Sequence, residues 1–130
     1  EQAYQWSDGR AIFASGSPFD PVRYGNQVFK PAQGNNAYIF PGIGLGIHAS
    51  AARLVTQKMF LHAARVLADS VSDSEIRDGS IYPKLTRVRQ VSHSIAVTVC
   101  KIACQEGLTD AELPADVEEF VRLLMYDPGY

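Results

Sequence analysis

In the second half of the chain, apolar residues recur every three or four positions, the spacing that places them on one face of an α-helix. The pattern predicts helices near 57–70 and near 86–106, with Thr56 as the N-cap of the first and Gly107 ending the second. The face of the first comprises Met59, Phe60, Ala63, Val66 and Leu67. The face of the second comprises Val88, Val91, Ile95, Val99 and Ile102.

Two further helices are predicted on either side of these. One lies near 41–54, with Pro41 at the first helical position, where its missing N–H costs nothing. A shorter one lies near 115–126 and repeats the apolar spacing. Residues 72–83 form a polar connection between the second and third helices.

The first third of the chain has a different pattern. The short apolar run 11–14 is followed by Ser-Gly-Ser-Pro, which predicts a buried strand of the kind found in parallel sheets. Residues 16–36 are rich in Gly, Pro, Asn and Asp, with Val28-Phe29 as the only hint of extended structure. A loop of this length in a compact domain is usually functional. One clear strand and four helices do not complete a common α/β fold, so we expect the last part of a doubly wound sheet.

Composition excludes several classes of protein. Of the 130 residues 46% are hydrophobic, enough for one core, and the net charge is −2. The densest basic cluster, Lys84, Arg87 and Arg89, has no interleaved aromatic residues, which argues against nucleic-acid binding. No apolar run approaches the roughly 20 residues that span a bilayer. The chain opens on a polar stretch without Met or a signal peptide, which we interpret as an artificial boundary or a proteolytic cut.

The two cysteines lie one helical turn apart in an apolar pattern. Cys100 and Cys104 are therefore predicted to be two buried thiols in a reducing compartment and not part of a disulfide framework.

Two motifs are candidates for ligand binding. Gly44-x-Gly46-x-x-Ala49 matches a relaxed dinucleotide fingerprint, and the preceding residues 37–40 look strand-like. Pro41-Gly42 interrupts the expected turn, however, and the alternative is that the glycines let one helix pack closely on a neighbour.

The second motif is Gln33-Gly34-Asn35-Asn36. The residues alone favour a simple turn. The alternative is a side-chain amide, donor and acceptor at once, presented at the rim of a cleft to a hydroxyl or carboxylate.

The other polar residues form no complete catalytic set. No two of His48, His62 and His93 share a metal-ligand spacing with an acidic partner. Ser15 and Ser17 lack the nucleophile-elbow pattern. The acidic pairs Asp73/Glu75 and Glu118/Glu119 are predicted to lie on solvated faces.

Several segments resemble malic enzymes. Residues 9–19 (GRAIFASGSPF) resemble one family segment, and residues 31–46 (PAQGNNAYIFPGIGLG) resemble the family's PGQGNNAYIFPGIGLG, with Ala32 where many members have Gly. Residues 79–83 (GSIYP) and 91–96 (VSHSIA) match further family patterns. The likeness extends to about residue 106, and the remainder matches more loosely. The resemblance implies an α/β fold: the C-terminal portion of a Rossmann-like doubly wound domain, mostly helical here, with one or two short strands.

The resemblance also implies a function for the parent protein. Malic enzymes oxidise L-malate with NAD or NADP, decarboxylate the resulting oxaloacetate with Mg²⁺ or Mn²⁺, and release pyruvate and CO2. The family's catalytic Tyr and Lys, its three metal-binding carboxylates and its glycine fingerprint lie upstream and have no counterpart here. The chain alone is therefore expected to be inactive, with no catalytic residue and no metal ligand.

One site does have a counterpart. Asn36, with Asn35 beside it, resembles the malate-binding asparagine of the family, which implies substrate binding, whereas the cofactor-binding residues stay unknown. Gly44, Gly46 and Ala49 correspond to the family's helix after that asparagine and not to its pyrophosphate loop. The family implies a homodimeric or homotetrameric parent in the cytoplasm, or in an organelle. The alternatives are a stand-alone helical module that keeps the asparagine cleft as a ligand sensor or interaction surface, and a complete small dinucleotide-binding protein.

Overall fold

The computed structural model describes residues 1–127, and most of its regular structure is helical, as predicted. The chain divides into two compact units. The first comprises Glu1–Asn35 together with Ala68–Lys84, and the second comprises Asn36–Leu67 together with the chain from Leu85 onward. Among the described residues, no helix is both long and apolar enough to cross a membrane.

The first unit begins with a short helix that the polar composition of residues 1–10 does not reveal. Helix α1 spans Gln2–Trp6 and buries Tyr4, whose ring stacks on Phe29 with the centroids 4.3 Å apart. Because α1 has only five residues, one buried aromatic side chain attaches it to the rest of the unit, and no periodic pattern can develop.

Two parallel strands lie at the centre of the first unit. Strand β1 is Ala14–Ser15 and pairs with β4, Ala32–Gln33, so that Ala14 lies opposite Ala32 and Ser15 opposite Gln33. The parallel direction agrees with the prediction, but β1 begins at the last residue of the predicted 11–14 run. The prediction of a buried strand is wrong, because β1 is only half-buried and Ile12 is exposed.

The prediction that residues 16–36 form a loop without regular structure is wrong. The segment contains an antiparallel hairpin of β2, Val22–Tyr24, and β3, Gln27–Phe29, joined at Gly25 and Asn26. Gly25 has a φ of +58°, the left-handed conformation that a tight hairpin turn requires. With β4 also inside this range, the described residues form four short strands instead of the one or two expected.

The polar connection 72–83 also contains a helix. Helix α4 spans Asp73–Arg77 and starts with a capping box: the Ser72 hydroxyl accepts from the backbone N–H of Glu75, and the Glu75 carboxylate accepts from the backbone N–H of Ser72 at 2.8 Å. Glu75 is buried, so the prediction that Asp73 and Glu75 both lie on a solvated face holds for Asp73 only.

The second unit starts with a 3₁₀ turn, Asn36–Tyr38, and continues into α2, Phe40–Ser50. Residues 37–40 are therefore not strand-like, because Tyr38 is buried in the 3₁₀ turn and Pro41 lies in the first turn of α2. An apolar run this short does not distinguish strand from helix.

Helix α2 is shorter than the predicted 41–54 because tertiary contacts end it at Ser50. Ala51 adopts the left-handed conformation with φ 50°, and the hydroxyl of Thr109 donates to the Ser50 carbonyl oxygen at 2.5 Å. The backbone N–H of Arg53 then donates to the Leu108 carbonyl oxygen at 2.9 Å, which holds the chain away from a helical path.

Three more helices complete the second unit. The helix predicted near 57–70 is α3, Gln57–Asp69; that near 86–106 is α5, Val88–Gln105, after a 3₁₀ turn at Leu85–Arg87; and that near 115–126 is α6, Val117–Leu124. One part of the core joins α2, α5 and α6 through Ala49, Ala96, Val97, Cys100 and Val121. Phe60 of α3 and Leu124 of α6 are exposed, so the predicted apolar faces are wider than the buried ones.

Candidate functional site

The first part of the candidate site lies at the carboxyl ends of the two parallel strands. The backbone N–H of Gly34 donates to the Ser15 carbonyl oxygen at 2.8 Å, extending the β1–β4 pairing by one bond. The Gln33 side chain donates from Nε2 to the Gly16 carbonyl oxygen at 3.1 Å and so ties the two strand ends together. Asn35, half-buried, follows at this edge. In α/β sheets, ligands bind outside the carboxyl ends of the strands.

Asn36, the next residue, opens the second unit. Its backbone carbonyl accepts from the N–H of Ile39 at 3.1 Å and so forms the 3₁₀ turn. Its side chain is exposed, and within residues 1–127 the side-chain amide has no hydrogen-bond partner. The turn thus lies later than predicted: Gln33 belongs to β4, and the turn begins at Asn36. It uses the backbone of Asn36 and leaves one acceptor and two donor hydrogens of the amide for a ligand.

The N-terminus of α2, which follows Asn36 in the chain, favours a negatively charged group nearby. The N-cap residue is Ile39, which makes no side-chain cap, and the first turn contains no acidic residue. The partial positive charge of a helix N-terminus is therefore not neutralised by the helix's own side chains.

The glycine motif in α2 is a packing device and not a dinucleotide fingerprint. A Cβ at Gly42 would lie 2.7 Å from Cβ of Ile95, and one at Gly46 would lie 2.6 Å from Cβ of Val99. Both glycines let the backbone of α2 lie directly on α5, which leaves Gly46 no open face for a pyrophosphate. Gly44 faces open space, so the close-packing interpretation holds for Gly42 and Gly46 only.

The three histidines all lie in helices of the second unit. His48 is exposed in the last turn of α2, His62 is half-buried in α3, and Nε2 of His93 lies 2.9 Å from the Glu118 carbonyl oxygen. Among residues 1–127, no three His, Cys, Asp or Glu side chains lie close enough together to hold a metal ion. The side chains of this part of the chain therefore do not fit the divalent cation that the resemblance implies.

The second acidic pair does lie on a solvated face. Glu118 and Glu119 are both exposed, and Arg122 donates to both carboxylate oxygens of Glu119. These hydrogen bonds lower the pKa of Glu119 and raise that of Arg122. The pair belongs to the exposed surface of α6.

The two cysteines have different environments, contrary to the prediction of two buried thiols. Cys100 is buried and its Sγ lies 3.4 Å from the Gly46 carbonyl oxygen, whereas Cys104 is exposed; both are free. Burial, with a smaller contribution from Cys104, raises the pKa of Cys100 to about 11. Cys100 is therefore an inert core thiol.

A residue that the sequence did not single out as a site residue lies beside Gly34. A Cβ at Gly34 would lie 3.4 Å from the hydroxyl oxygen of Tyr82 and 3.6 Å from Cε2 and Cζ of its ring. Tyr82 lies in the GSIYP segment, the only sequence feature that could have drawn attention to it.

Comparison with known proteins gives one consistent result. Residues 1–104 match the family described as malic enzyme, NAD binding domain. The NADP-dependent malic enzyme of Dictyostelium discoideum is 50% identical over 130 residues, which is all of this chain and 24% of that protein. The NADP-dependent malic enzyme of Homo sapiens is 48% identical over all of this chain and 23% of its own length. The chloroplastic NADP-dependent malic enzyme of Oryza sativa subsp. japonica is 47% identical, with 20% of its length covered.

The chain thus spans about a fifth to a quarter of the length of these relatives. The family match covers most of the chain, including both long motifs and the parallel strands that precede the asparagine pair. The chain therefore belongs to the malic enzyme family, in its NAD-binding domain.

Proposed function

We propose that this chain is a segment of an NAD(P)-dependent malic enzyme that oxidatively decarboxylates L-malate to pyruvate and CO2, and that Asn36 binds malate. The observation that carries the proposal is the exposed amide of Asn36, which follows a Gly-Asn pair at the carboxyl end of a parallel strand in a member of this family. Asn35 is proposed as a second, neighbouring contact.

An amide suits this position for a chemical reason. Its NH₂ can donate to a malate carboxylate and its oxygen can accept from the malate hydroxyl. Because the amide is neutral, it orients the substrate without a fixed charge that would compete with the charge developing during oxidation and decarboxylation. The uncapped start of α2, close behind Asn36 in the chain, is compatible with a dianionic substrate.

The cofactor is proposed to be NADP or NAD, and the relatives named as NADP-dependent enzymes make NADP the first to test. The proposed cation is Mg²⁺ or Mn²⁺, which would polarise the substrate's oxygen atoms. Because the side chains of residues 1–127 form no cation site, its ligands are proposed to lie in a different part of the enzyme. The catalytic acid and base are proposed to lie there too.

The remaining proposals concern the parent protein as a whole. It is proposed to assemble as a homodimer or homotetramer and to act in the cytoplasm, with an organelle as the alternative; the rice relative is named as chloroplastic.

The reaction is tested on the full natural protein that contains this chain. Incubation with L-malate and Mn²⁺ is expected to reduce NADP, or NAD, and to release one pyruvate for each cofactor reduced. Intact mass measured on the same sample gives the length of the natural polypeptide. A natural polypeptide of only this length that is inactive with both cofactors would contradict the proposal and favour a ligand-sensing or interaction module.

A further inference from the structure

The aromatic ring of Tyr82 covers Gly34, the residue that precedes the asparagine pair. Both residues belong to the first unit. The position of a Cβ on Gly34 would be 3.4 Å from the Tyr82 hydroxyl oxygen and 3.6 Å from two of its ring carbons, which is ordinary van der Waals contact. A methyl group at position 34 would therefore touch the Tyr82 ring without overlapping it, and the further atoms of a bulkier side chain would have to turn away from the ring or move it.

Gly34 is also fixed by its neighbours in the sheet. Its backbone N–H is bonded to the Ser15 carbonyl oxygen at 2.8 Å, and the preceding Gln33 is tied to Gly16 at 3.1 Å. The strand pairing fixes the backbone of Gly34, and the ring of Tyr82 lies on the side of Gly34 where a side chain would project. The strand pairing and the Tyr82 ring together limit the direction in which the chain continues from Gly34 to Asn35.

Tyr82 is itself held firmly by the segment that follows α4. The Ser80 hydroxyl donates to the Tyr82 carbonyl oxygen at 2.8 Å and accepts from its backbone N–H at 3.3 Å. Oε1 of Glu75 accepts from the backbone N–H of Lys84 at 2.8 Å, closing the segment on α4. Pro83, next to the tyrosine, is fully buried. The backbone on both sides of Tyr82 is therefore fixed, which limits the positions that its ring can take.

We propose that Tyr82 is a positioning residue for the substrate site: its ring, next to Gly34, holds the Gly34–Asn35 peptide in the orientation that presents Asn35 to bound malate. This inference rests on the proposed function. The ring acts by contact through Gly34 and takes no part in the chemistry. Without it, the peptide gains room to rotate, and the Michaelis constant for malate rises more than that for the cofactor.

The test uses the full natural enzyme and measures KM for malate, KM for the cofactor and kcat. Tyr82→Phe keeps the ring and is expected to keep both KM values near wild type. Tyr82→Ala is expected to raise KM for malate by about tenfold with little change in KM for the cofactor, because small displacements of a binding group are costly. Tyr24→Ala is the matched control, a half-buried tyrosine of the hairpin in the same unit, expected to leave KM for malate unchanged.

A second pair of variants changes Gly34 instead of Tyr82. Gly34→Ala fits beside the ring and is expected to behave as wild type, whereas Gly34→Val displaces it and is expected to raise KM for malate. This pair decides the question if Tyr82→Ala does not fold. An unchanged KM for malate in Tyr82→Ala or Gly34→Val, or equal rises in both KM values, would overturn the inference if Asn36→Ala is impaired. An unimpaired Asn36→Ala contradicts the proposed function itself, and the inference with it.

Discussion

Gly46 lies so close to Val99 that a Cβ on the glycine would be 2.6 Å from the Cβ of the valine and 2.8 Å from the Ala96 carbonyl oxygen. One turn earlier, Gly42 has the same relationship to Ile95 and to the Ser92 carbonyl oxygen. The two glycines thus form a groove in α2 into which the ridge of α5 fits. The α2–α5 contact supports the helix that follows the asparagine pair.

Gly46→Ala is predicted to destabilise the protein despite the higher helix propensity of alanine. The methyl group has to displace backbone as well as the Val99 side chain, so we expect a loss of about 1–3 kcal/mol. The matched control is Gly44→Ala in the same helix, where nothing lies within 4 Å of the added Cβ. That variant is expected to gain about 0.5–1 kcal/mol. Unfolding midpoints of the two variants test this; equal shifts in one direction would rule out the groove.

Glu75→Ala is predicted to destabilise the segment that carries Tyr82. The substitution removes the acceptors for the backbone N–H groups of Ser72 and Lys84, both bonded at 2.8 Å. Loss of a cap together with unsatisfied donors is expected to cost about 2 kcal/mol. Asp73→Ala, an exposed carboxylate in the same helical turn, is expected to change stability by less than about 0.5 kcal/mol. Denaturant unfolding that ranks the two variants the other way would refute the role assigned to Glu75.

Thiol chemistry is predicted to separate the two cysteines. At pH 8, iodoacetamide is expected to modify exposed Cys104 well before buried Cys100, whose pKa is raised to about 11. Because the folded state keeps the Cys100 proton more tightly than the unfolded state, its contribution to stability is full below the ordinary thiol pKa. That contribution is lost as pH rises toward about 11. Peptide mapping by mass spectrometry checks the order of labelling, and equal rates would contradict it.

The isolated chain is predicted to be inactive. Its side chains within residues 1–127 provide no cation site, and Gly42 and Gly46 of α2 pack against α5. With malate, Mn²⁺ and either cofactor, no NADH or NADPH above the blank is expected in a spectrophotometric assay. A clear malate-dependent rise in absorbance at 340 nm from the purified 130-residue chain would contradict the proposal that the cation ligands and the catalytic acid and base lie in another part of the enzyme.

The long helices can be predicted from sequence because one face of each is buried over several turns. Val91, Ile95, Val99 and Ile102 of α5 are all buried, and their spacing alone indicates the helix. The end of α2 is not predictable in the same way. It depends on hydrogen bonds to Leu108 and Thr109, which are distant in sequence.

Two of the short elements do have local sequence patterns. Gly25-Asn26 between two extended segments is a two-residue hairpin turn, and Ser72 with Glu75 is a capping box. Helix α1 has no comparable pattern, since its attachment depends on Tyr4 stacking on Phe29.

The candidate site likewise has one part that the sequence predicts and one part that only the folded chain shows. Asn36 and Asn35 come from a motif that can be matched to a family, whereas the contact between Tyr82 and Gly34 exists only in the folded chain. That Gly46 faces Val99 is likewise seen only in the folded chain, and it agrees with the resemblance, which assigns Gly44, Gly46 and Ala49 to a helix and not to a pyrophosphate loop.

The most direct test of the central claim is the malate kinetics of Asn36→Ala in the full natural enzyme, with Asn26→Ala as the control. Asn26 is an exposed asparagine at the hairpin turn and is expected to be dispensable. Loss of a hydrogen bond to a charged substrate group is worth about 1.5–3 kcal/mol, so Asn36→Ala is expected to lower kcat/KM for malate roughly 10- to 100-fold. A value of kcat/KM for malate equal to that of Asn26→Ala would contradict the assignment of Asn36 to the substrate.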